Sequence, residues 1–257
     1  MPIDHPGPGL PRPPLLLITD RSRLTIGGRG LVGAMVDLVR GAVAGGCRWV
    51  SLREKDLDPA AQADLITALL PILRAAGGRL TVHGGGHGVP SGDPGAGALP
   101  PPVLDLARLC DGVHLPDGGP DGGDAAAARA ALGPGALIGV SCHSGVGMIQ
   151  AAQDGADYAT LSPLFPTESK PGYGPALGPA GLAAALAALK AARPGERPFP
   201  VIGLGGIGPG NAAGVMAAGA AGIAVMGGVM GSADPAAAVR ALLAALQTPE
   251  AAGPGPG

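Results

Sequence analysis

The sequence predicts an α/β fold built as a single (β/α)8 barrel. Short apolar runs alternate with longer Ala- and Leu-rich segments along the 257 residues, and eight such runs can be counted. Near-continuous apolar strands separated by helices indicate a parallel sheet that helices cover on its outer face. Eight repeats of this unit indicate closure into a TIM barrel. A doubly wound open sheet is the alternative, but it usually has fewer strands and no eightfold repeat.

The predicted strands are the runs rich in β-branched residues or leucine: Leu15–Asp20, Trp49–Lys55, Arg79–Gly84, Gly112–Leu115, Leu137–His143, Tyr158–Phe165, Phe199–Ile207 and Gly222–Val229. The predicted helices include Pro59–Gly77, Gly145–Gly155, Pro179–Ala192, Pro209–Ala218 and Pro235–Leu246. Several of them open with proline near the first turn and close at glycine, as helix boundaries often do.

Three segments do not follow the repeat. We expect flexible tails over residues 1–14 and 248–257, because both ends are rich in proline and glycine. The barrel domain then covers residues 15–247. Within it, a Gly/Pro-rich insertion over residues 85–102 follows the third strand. A tolerated surface loop is the favoured interpretation of this insertion, and a lid or ligand source with His87 and Asp93 is the alternative.

Charge and composition exclude several classes of protein. The net charge is −2, from 17 basic and 19 acidic side chains, and no basic stripe indicates a nucleic-acid or membrane partner. The three cysteines lack the spacing of a zinc site or a disulfide framework. No apolar run approaches the ~20 residues of a membrane helix, and no signal peptide is evident. We therefore expect a cytoplasmic protein.

Barrel enzymes keep their active sites at the carboxyl ends of the strands. The predicted strands seven and eight contain the glycine-rich segments Gly203–Ile207 and Val225–Gly228. Glycines let backbone N–H groups converge on an anion, so this pair predicts a phosphate-binding cradle. One Gly-Gly alone serves a tight turn equally well. Thr167 and Ser169 can donate hydroxyl hydrogen bonds and Lys170 adds a positive charge, although an ordinary polar loop is the alternative for this segment.

Two other strand ends carry candidate groups. Arg53 and Lys55 lie two residues apart and therefore share one face of an extended strand. If that face is the barrel lumen, the two cations need an anion such as a diphosphate, whereas a surface ion cluster with Glu54 is the alternative. His143 ends the fifth strand and is a candidate general acid or base, because imidazole titrates near neutral pH. A structural role for His143 is equally compatible with the sequence.

Five segments of the sequence are characteristic of a known family. They are LREK at Leu52–Lys55, GVSCHS at Gly139–Ser144, LSPLFPTESKPGYGPALG at Leu161–Gly178, GLGGI at Gly203–Ile207 and GAAGIAVMGGV at Gly219–Val229. In these segments the chain resembles thiamine-phosphate synthases and, equally, their relatives the thiazole tautomerases (TenI-like proteins). The resemblance extends from about Leu15 to Leu246. The segment with PTESK and its GLGGI partner are the most specific parts of it.

The synthase resemblance implies a reaction of thiamine biosynthesis. Thiazole phosphate and hydroxymethylpyrimidine diphosphate are joined to thiamine phosphate, and pyrophosphate leaves. The residues implied to contact thiazole phosphate are Thr167, Glu168, Ser169, Gly206, Met226 and Gly227. Those implied to contact the pyrimidine diphosphate are Ser51, Leu52, Arg53, Glu54, Lys55, Ser141 and Lys170.

Two departures from the synthase pattern concern Mg²⁺. The family's Asn-Asp pair after strand three, which binds diphosphate and Mg²⁺, is replaced by His83 and Gly84. His83 thereby becomes a candidate substrate contact. The family's second magnesium-binding Asp aligns with Gly119, which leaves Asp117 and Asp121 on either side as candidate ligands.

The departures leave three functions open. Synthase is the leading prediction and requires Mg²⁺. A thiazole tautomerase, which needs no cofactor and uses a His matching His143, is the first alternative. A non-catalytic binder of thiazole phosphate is the second. In all three, the partners are small-molecule phosphates. The sequence does not determine the oligomeric state, and a homo-oligomer is compatible with it.

Overall fold

Eight parallel strands close into a barrel in the computed structural model, which describes residues 9–84, 100–117, 124–167 and 176–247. Each strand pairs in parallel with the next, and the last pairs with the first through the register Leu16 to Ala224. The strands are β1 Leu15–Ile18, β2 Trp49–Leu52, β3 Arg79–His83, β4 Gly112–Leu115, β5 Leu137–Cys142, β6 Tyr158–Leu161, β7 Val201–Leu204 and β8 Gly222–Val225. The predicted (β/α)8 fold is confirmed.

The strands end earlier than seven of the eight apolar runs predict. The sixth and eighth runs show the largest difference, and β8 stops at Val225, where a short helix, Gly227–Met230, follows. The sixth run similarly leaves the sheet after Leu161. Apolar residues beyond these ends still pack against the core, as Leu164 and Val229 do. Hydrophobicity alone therefore does not mark where a strand leaves the ladder.

Helices cover the outer face of the barrel, except for the short helix Gly227–Met230, which begins at a cavity after β8. They are α1 Gly30–Ala44, α2 Pro59–Ala75, α3 Pro101–Leu109, α4 Asp124–Leu132, α5 Gly145–Gln153, α6 Gly178–Ala192, α7 Ala212–Ala217, α8 Gly227–Met230 and α9 Pro235–Gln247. The start of α2 follows from its sequence, since Asp58 accepts a hydrogen bond from the N–H of Ala61 and Pro59 opens the first turn. In the described part of the chain, no helix is long and apolar enough to cross a membrane.

Two segment boundaries differ from the sequence expectations. Helix α3 begins at Pro101, so the last two residues of the expected insertion 85–102 form a first helical turn, where proline is favoured. At the N-terminus, Leu10 packs against the residues inside the barrel, and the carbonyl of Pro14 accepts a hydrogen bond from the N–H of Ile223 at 3.0 Å. Residues 10–14 thus belong to the barrel rather than to a tail. Residues 1–8, 85–99 and 248–257, with His87 and Asp93, lie outside the described ranges.

The barrel interior is filled by two of the chain's few aromatic side chains. The rings of Trp49 and Tyr158 meet edge to face, with centroids 4.7 Å apart. Leu16, Leu137 and Ile202 pack around them. Gly139 on β5 leaves the space for the Tyr158 ring, because a Cβ at this position would overlap the phenol. The interior is therefore a packed core below the open end of the barrel.

We predict that Gly139→Ala destabilises the fold, because the added methyl group overlaps the Tyr158 ring in a filled core. Overpacking of this kind costs ~1–3 kcal/mol. Gly135→Ala is the matched control, since its Cβ would meet open space. Urea denaturation of both variants measures the difference. Equal free energies of unfolding would mean that the Tyr158 ring is not held as described.

Candidate active site

A cavity of about 340 Å³ opens at the carboxyl ends of β6, β7 and β8. The loop after β1 closes one side of it. The lining residues are Arg23, His143, Ser162, Pro163, Pro166, Thr167, Leu204, Gly205, Gly206, Ile207, Ala224, Val225, Met226, Gly227 and Gly228. The predicted residues Thr167, Gly206, Met226 and Gly227 therefore surround one space.

The turn after β7 depends on two glycines with left-handed backbone. Gly205 and Gly206 have φ of +100° and +63°, which side chains rarely adopt. A Cβ on Gly206 would also lie 2.6 Å from the carbonyl oxygen of Pro166. The side chain of Asn211 fixes the turn, because its Nδ2 donates to the carbonyl of Gly206 at 2.9 Å and its Oδ1 accepts from the N–H of Gly208 at 2.9 Å. This turn exposes backbone to the cavity at a point where no side chain fits.

His143 lines the same cavity from the end of β5. Its Nδ1 lies 2.8 Å from the carbonyl oxygen of Ser162. A carbonyl oxygen only accepts, so Nδ1 carries the proton in this contact. In the neutral form of the ring, the lone pair is therefore on Nε2. His143 can accept a proton at Nε2, which suits the predicted acid–base role.

A second group of candidate residues meets over the barrel lumen. Burial, and then the positive charges of Lys55 and Arg53, lower the pKa of His114 to about 3. Both cations therefore lie close enough to the buried His114 for their charges to act on it. The neutral His114 lies 2.9 Å from the Tyr158 hydroxyl through Nδ1 and 3.0 Å from the Ser141 hydroxyl through Nε2.

The remaining lumen candidates are Ser51 and His83. Ser51 is buried, and its hydroxyl has no hydrogen-bond partner within the described ranges. The His83 ring centroid lies 5.4 Å from that of His114. The Ser51 hydroxyl, the Ser141 hydroxyl and the His83 ring therefore give this region several polar atoms that can form hydrogen bonds. Such atoms suit an uncharged heteroaromatic ring better than an anion.

Two predicted substrate contacts direct their side chains elsewhere. Leu52 is fully buried in the core between strands and helices. The Glu54 carboxylate is buried as well and accepts a hydrogen bond from the backbone N–H of Arg21 at 3.1 Å. Burial raises the pKa of this carboxyl above its ordinary value. The Glu54 side chain therefore joins the loops after β1 and β2 instead of facing the cavity.

The candidate Mg²⁺ ligands are only partly described. Asp117 follows β4 as an exposed residue. The burial of Cys142, and then the negative charge of Asp117, raise the pKa of the Cys142 thiol to about 12. At the end of β3, His83 and Gly84 offer no carboxylate. Among the described residues, no cluster of three His, Cys, Asp or Glu side chains could hold a metal. Mg²⁺ is often held by one or two carboxylates plus substrate phosphates, so Asp117 with a bound diphosphate fits this ion. Asp121 lies outside the described residues.

The structure adds one residue that sequence reasoning missed. Arg23 lies in a short 3₁₀ turn, Arg21–Arg23, directly after β1. It lines the cavity, and its Nη1 would lie 3.0 Å from a Cβ on Gly227. The available signal was a pair of arginines just beyond a predicted barrel strand. Glu168, Ser169 and Lys170, from the predicted loop, fall in a stretch that the structure does not describe.

Comparison with known proteins identifies the family. The family model for thiamine monophosphate synthase matches residues 103–229. The thiamine-phosphate synthase of Roseiflexus castenholzii is 38% identical over 209 residues, which cover 81% of this chain and 80% of that protein. The chain belongs to the thiamine-phosphate synthase family.

Further relatives support this assignment over nearly the whole length. The thiamine-phosphate synthase of Myxococcus xanthus is 36% identical over 242 residues, or 93% of this chain and 94% of that protein. The solved thiamine phosphate pyrophosphorylase of Pyrococcus furiosus superimposes with a TM-score of 0.66 and 25% identity, covering 90% of this chain and 94% of that one. The predicted family and enzyme class are confirmed. The metal requirement, the oligomeric state and the site roles stay predictions.

We predict that Gly206→Ala lowers the affinity for thiazole phosphate at least about tenfold. The methyl group would force a strained φ and displace the Pro166 carbonyl, at a cost of ~1–3 kcal/mol. Gly208→Ala is the control, because its Cβ would meet open space. Calorimetric titration with thiazole phosphate measures both variants, and circular dichroism checks their fold. Unchanged affinity in a folded Gly206→Ala variant would remove this turn from the binding site.

Proposed function

We propose that the protein is a thiamine-phosphate synthase that joins thiazole phosphate to hydroxymethylpyrimidine diphosphate. One observation carries the proposal: two regions suited to anions lie at the same end of one barrel. The Gly205–Gly206 turn and Gly227 form the first, across the cavity lined by β6 to β8. Arg53 and Lys55, whose charges lower the pKa of His114, form the second.

The first region accommodates the thiazole phosphate. Backbone N–H groups at glycine turns bind phosphate oxygens without the entropic cost of ordering a side chain. Thr167 lines the same cavity and can add a hydroxyl donor. Leu204, Ile207 and Met226 provide an apolar wall for the thiazole ring. In the proposed complex, Glu168 and Ser169 of the adjoining loop complete this subsite.

The second region accommodates the pyrimidine diphosphate. Arg53 and Lys55 supply positive charge for the diphosphate, with Lys170 as a third cation in the proposal. Ser51, His83 and Ser141 supply hydrogen-bonding atoms for the pyrimidine. His114 stays neutral because burial and the two cations disfavour its protonation. Positive charge is thereby kept at the mouth, where the diphosphate lies, and away from the lumen.

The proposed reaction forms one C–N bond and breaks one C–O bond. The lone pair of the thiazole nitrogen forms the bond to the pyrimidine methylene carbon, and the electrons of the C–O bond leave with pyrophosphate. Negative charge grows on the leaving oxygen, so fixed cations at Arg53 and Lys55 stabilise the transition state more than the ground state. Mg²⁺, held by Asp117 and diphosphate oxygens, would supply further charge neutralisation on the leaving group.

We predict that purified protein converts the two substrates to thiamine phosphate and pyrophosphate, and that EDTA stops turnover. Lys55→Met should lower kcat/KM by at least ~10-fold through lost charge stabilisation, with little change in thiazole phosphate binding. Lys190→Met, on an exposed position of α6, is the control. Product release measured by a pyrophosphate-coupled assay tests both. Normal coupling in EDTA would contradict this assignment. So would a Lys55→Met variant whose affinities for thiazole phosphate and for the pyrimidine diphosphate fall equally.

A thiazole tautomerase is the second candidate, favoured by the His143 contact. Nδ1 bonded to the Ser162 carbonyl leaves Nε2 as the basic nitrogen of a residue that lines the cavity. A ring with this tautomer can move a proton on a thiazole carboxylate phosphate without a metal. The replacement of the family's metal-binding pair by His83 and Gly84 is compatible with such a reaction.

The two activities respond differently to His143→Asn. In a tautomerase the variant should lose ~100-fold or more in rate, because general acid–base catalysis is removed, and EDTA should have no effect. In a synthase the coupling rate should change little, since no proton shuttle is obligatory. Isomerisation followed by NMR and coupling followed by pyrophosphate release separate these outcomes. Tight thiazole phosphate binding without either turnover would instead indicate a non-catalytic binder.

A further inference from the structure

Arg23 brings a guanidinium to the phosphate side of the cavity. Of the described residues that line this space, Arg23 is the one with a positive charge. It belongs to the loop after β1, whereas the glycine turns belong to the loops after β7 and β8. Because β8 pairs with β1 to close the barrel, the β1 loop lies directly beside Gly227.

The geometry at Gly227 is that of a close approach. A Cβ at Gly227 would lie 3.0 Å from Nη1, 3.3 Å from Cζ and 3.6 Å from Nε of Arg23. Any larger side chain at this position would push the guanidinium away. The absence of a side chain at Gly227 therefore serves two purposes: it exposes backbone to the cavity and it admits the planar group of Arg23.

Asp20 holds the guanidinium of Arg23 at Nε. The Nε–H of Arg23 donates to Oδ2 of Asp20 at 3.3 Å. Oδ1 of the same carboxylate accepts from the N–H and hydroxyl of Ser22 at 3.1 and 2.6 Å, so the turn holds Asp20 independently of Arg23. With Nε fixed at this distance, Nη1 is the guanidinium nitrogen that lies nearest to a Cβ on Gly227.

We infer that Arg23 binds the phosphate group of the thiazole substrate and sets the preference for phosphorylated thiazole over the corresponding alcohol. A guanidinium presents several N–H donors in one plane and matches a phosphate through two parallel hydrogen bonds. Without Arg23, the site would consist of uncharged backbone N–H groups and one hydroxyl, and its affinities for the phosphate and for the alcohol would differ less. This inference rests on the proposed function, because it assigns a role within the same site.

Calorimetric titration with thiazole phosphate and with the thiazole alcohol tests the inference without requiring turnover. Arg23→Met should weaken thiazole phosphate binding on the order of 10- to 100-fold, the range of a charge-assisted contact, and leave alcohol binding nearly unchanged. Arg23→Lys should lie between, because it keeps the charge and loses the planar fork. Raising the salt concentration should weaken the wild type more than Arg23→Met.

Arg29→Met is the matched control. Arg29 follows Arg23 in the same connection, is exposed, and forms an ion pair with Asp37, so its removal should not change either affinity. Thermal unfolding confirms that all variants are folded. If Arg23→Met lowered the affinities for thiazole phosphate and for the alcohol equally, the role of Arg23 would be structural and the inference would be overturned. Unchanged affinity for thiazole phosphate would overturn it as well. If the wild-type protein binds no thiazole phosphate, the proposed function itself fails, which is a separate outcome.

Discussion

The site depends on a backbone ladder that continues beyond the ends of β6 and β7. The N–H of Leu164 donates to the carbonyl of Leu204 at 2.9 Å, and that of Phe165 donates to Gly205 at 3.0 Å. The far end of the same loop is tied back, because the N–H groups of Leu177 and Gly178 donate to Pro163 and Leu164 at 3.0 and 2.8 Å. These bonds hold the Gly205–Gly206 turn against the loop after β6. Without them the cavity would have no fixed wall on this side.

The same constraint explains the glycines. Two segments whose backbones are hydrogen-bonded leave no volume for a side chain at the crossing, and a Cβ on Gly206 would meet the Pro166 carbonyl at 2.6 Å. The positive φ of the turn adds a conformational reason for the same residue type. Exposed backbone at this place is therefore a consequence of close packing, and anion binding is what such backbone can do chemically.

Charge is distributed unequally over the open end of the barrel. Arg53 and Lys55 act on the lumen, and Arg23 lies across the mouth beside Gly227. The buried Glu54 accepts the backbone N–H of Arg21, two residues before Arg23, and so connects the loops that carry the two cationic regions. Such a separation suits a reaction between two phosphorylated substrates, because each anionic group is then compensated by its own cations.

The amino-acid sequence by itself determined the barrel and much of the site. The alternation of short apolar runs with helix-like segments predicted the eight strands. The glycine-rich motifs around Gly206 and Gly227 predicted residues that meet in one cavity, because each motif follows a strand and the strands of a parallel barrel all end on the same face. The side-chain directions after β2 were decided by the tertiary structure, since the strand ends at Leu52 and Glu54 then turns toward Arg21. The tertiary structure also decided the position of the Arg23 guanidinium. Only closure of the sheet between β1 and β8 places that guanidinium beside Gly227, and the contact joins residues too far apart in sequence for any local pattern to record.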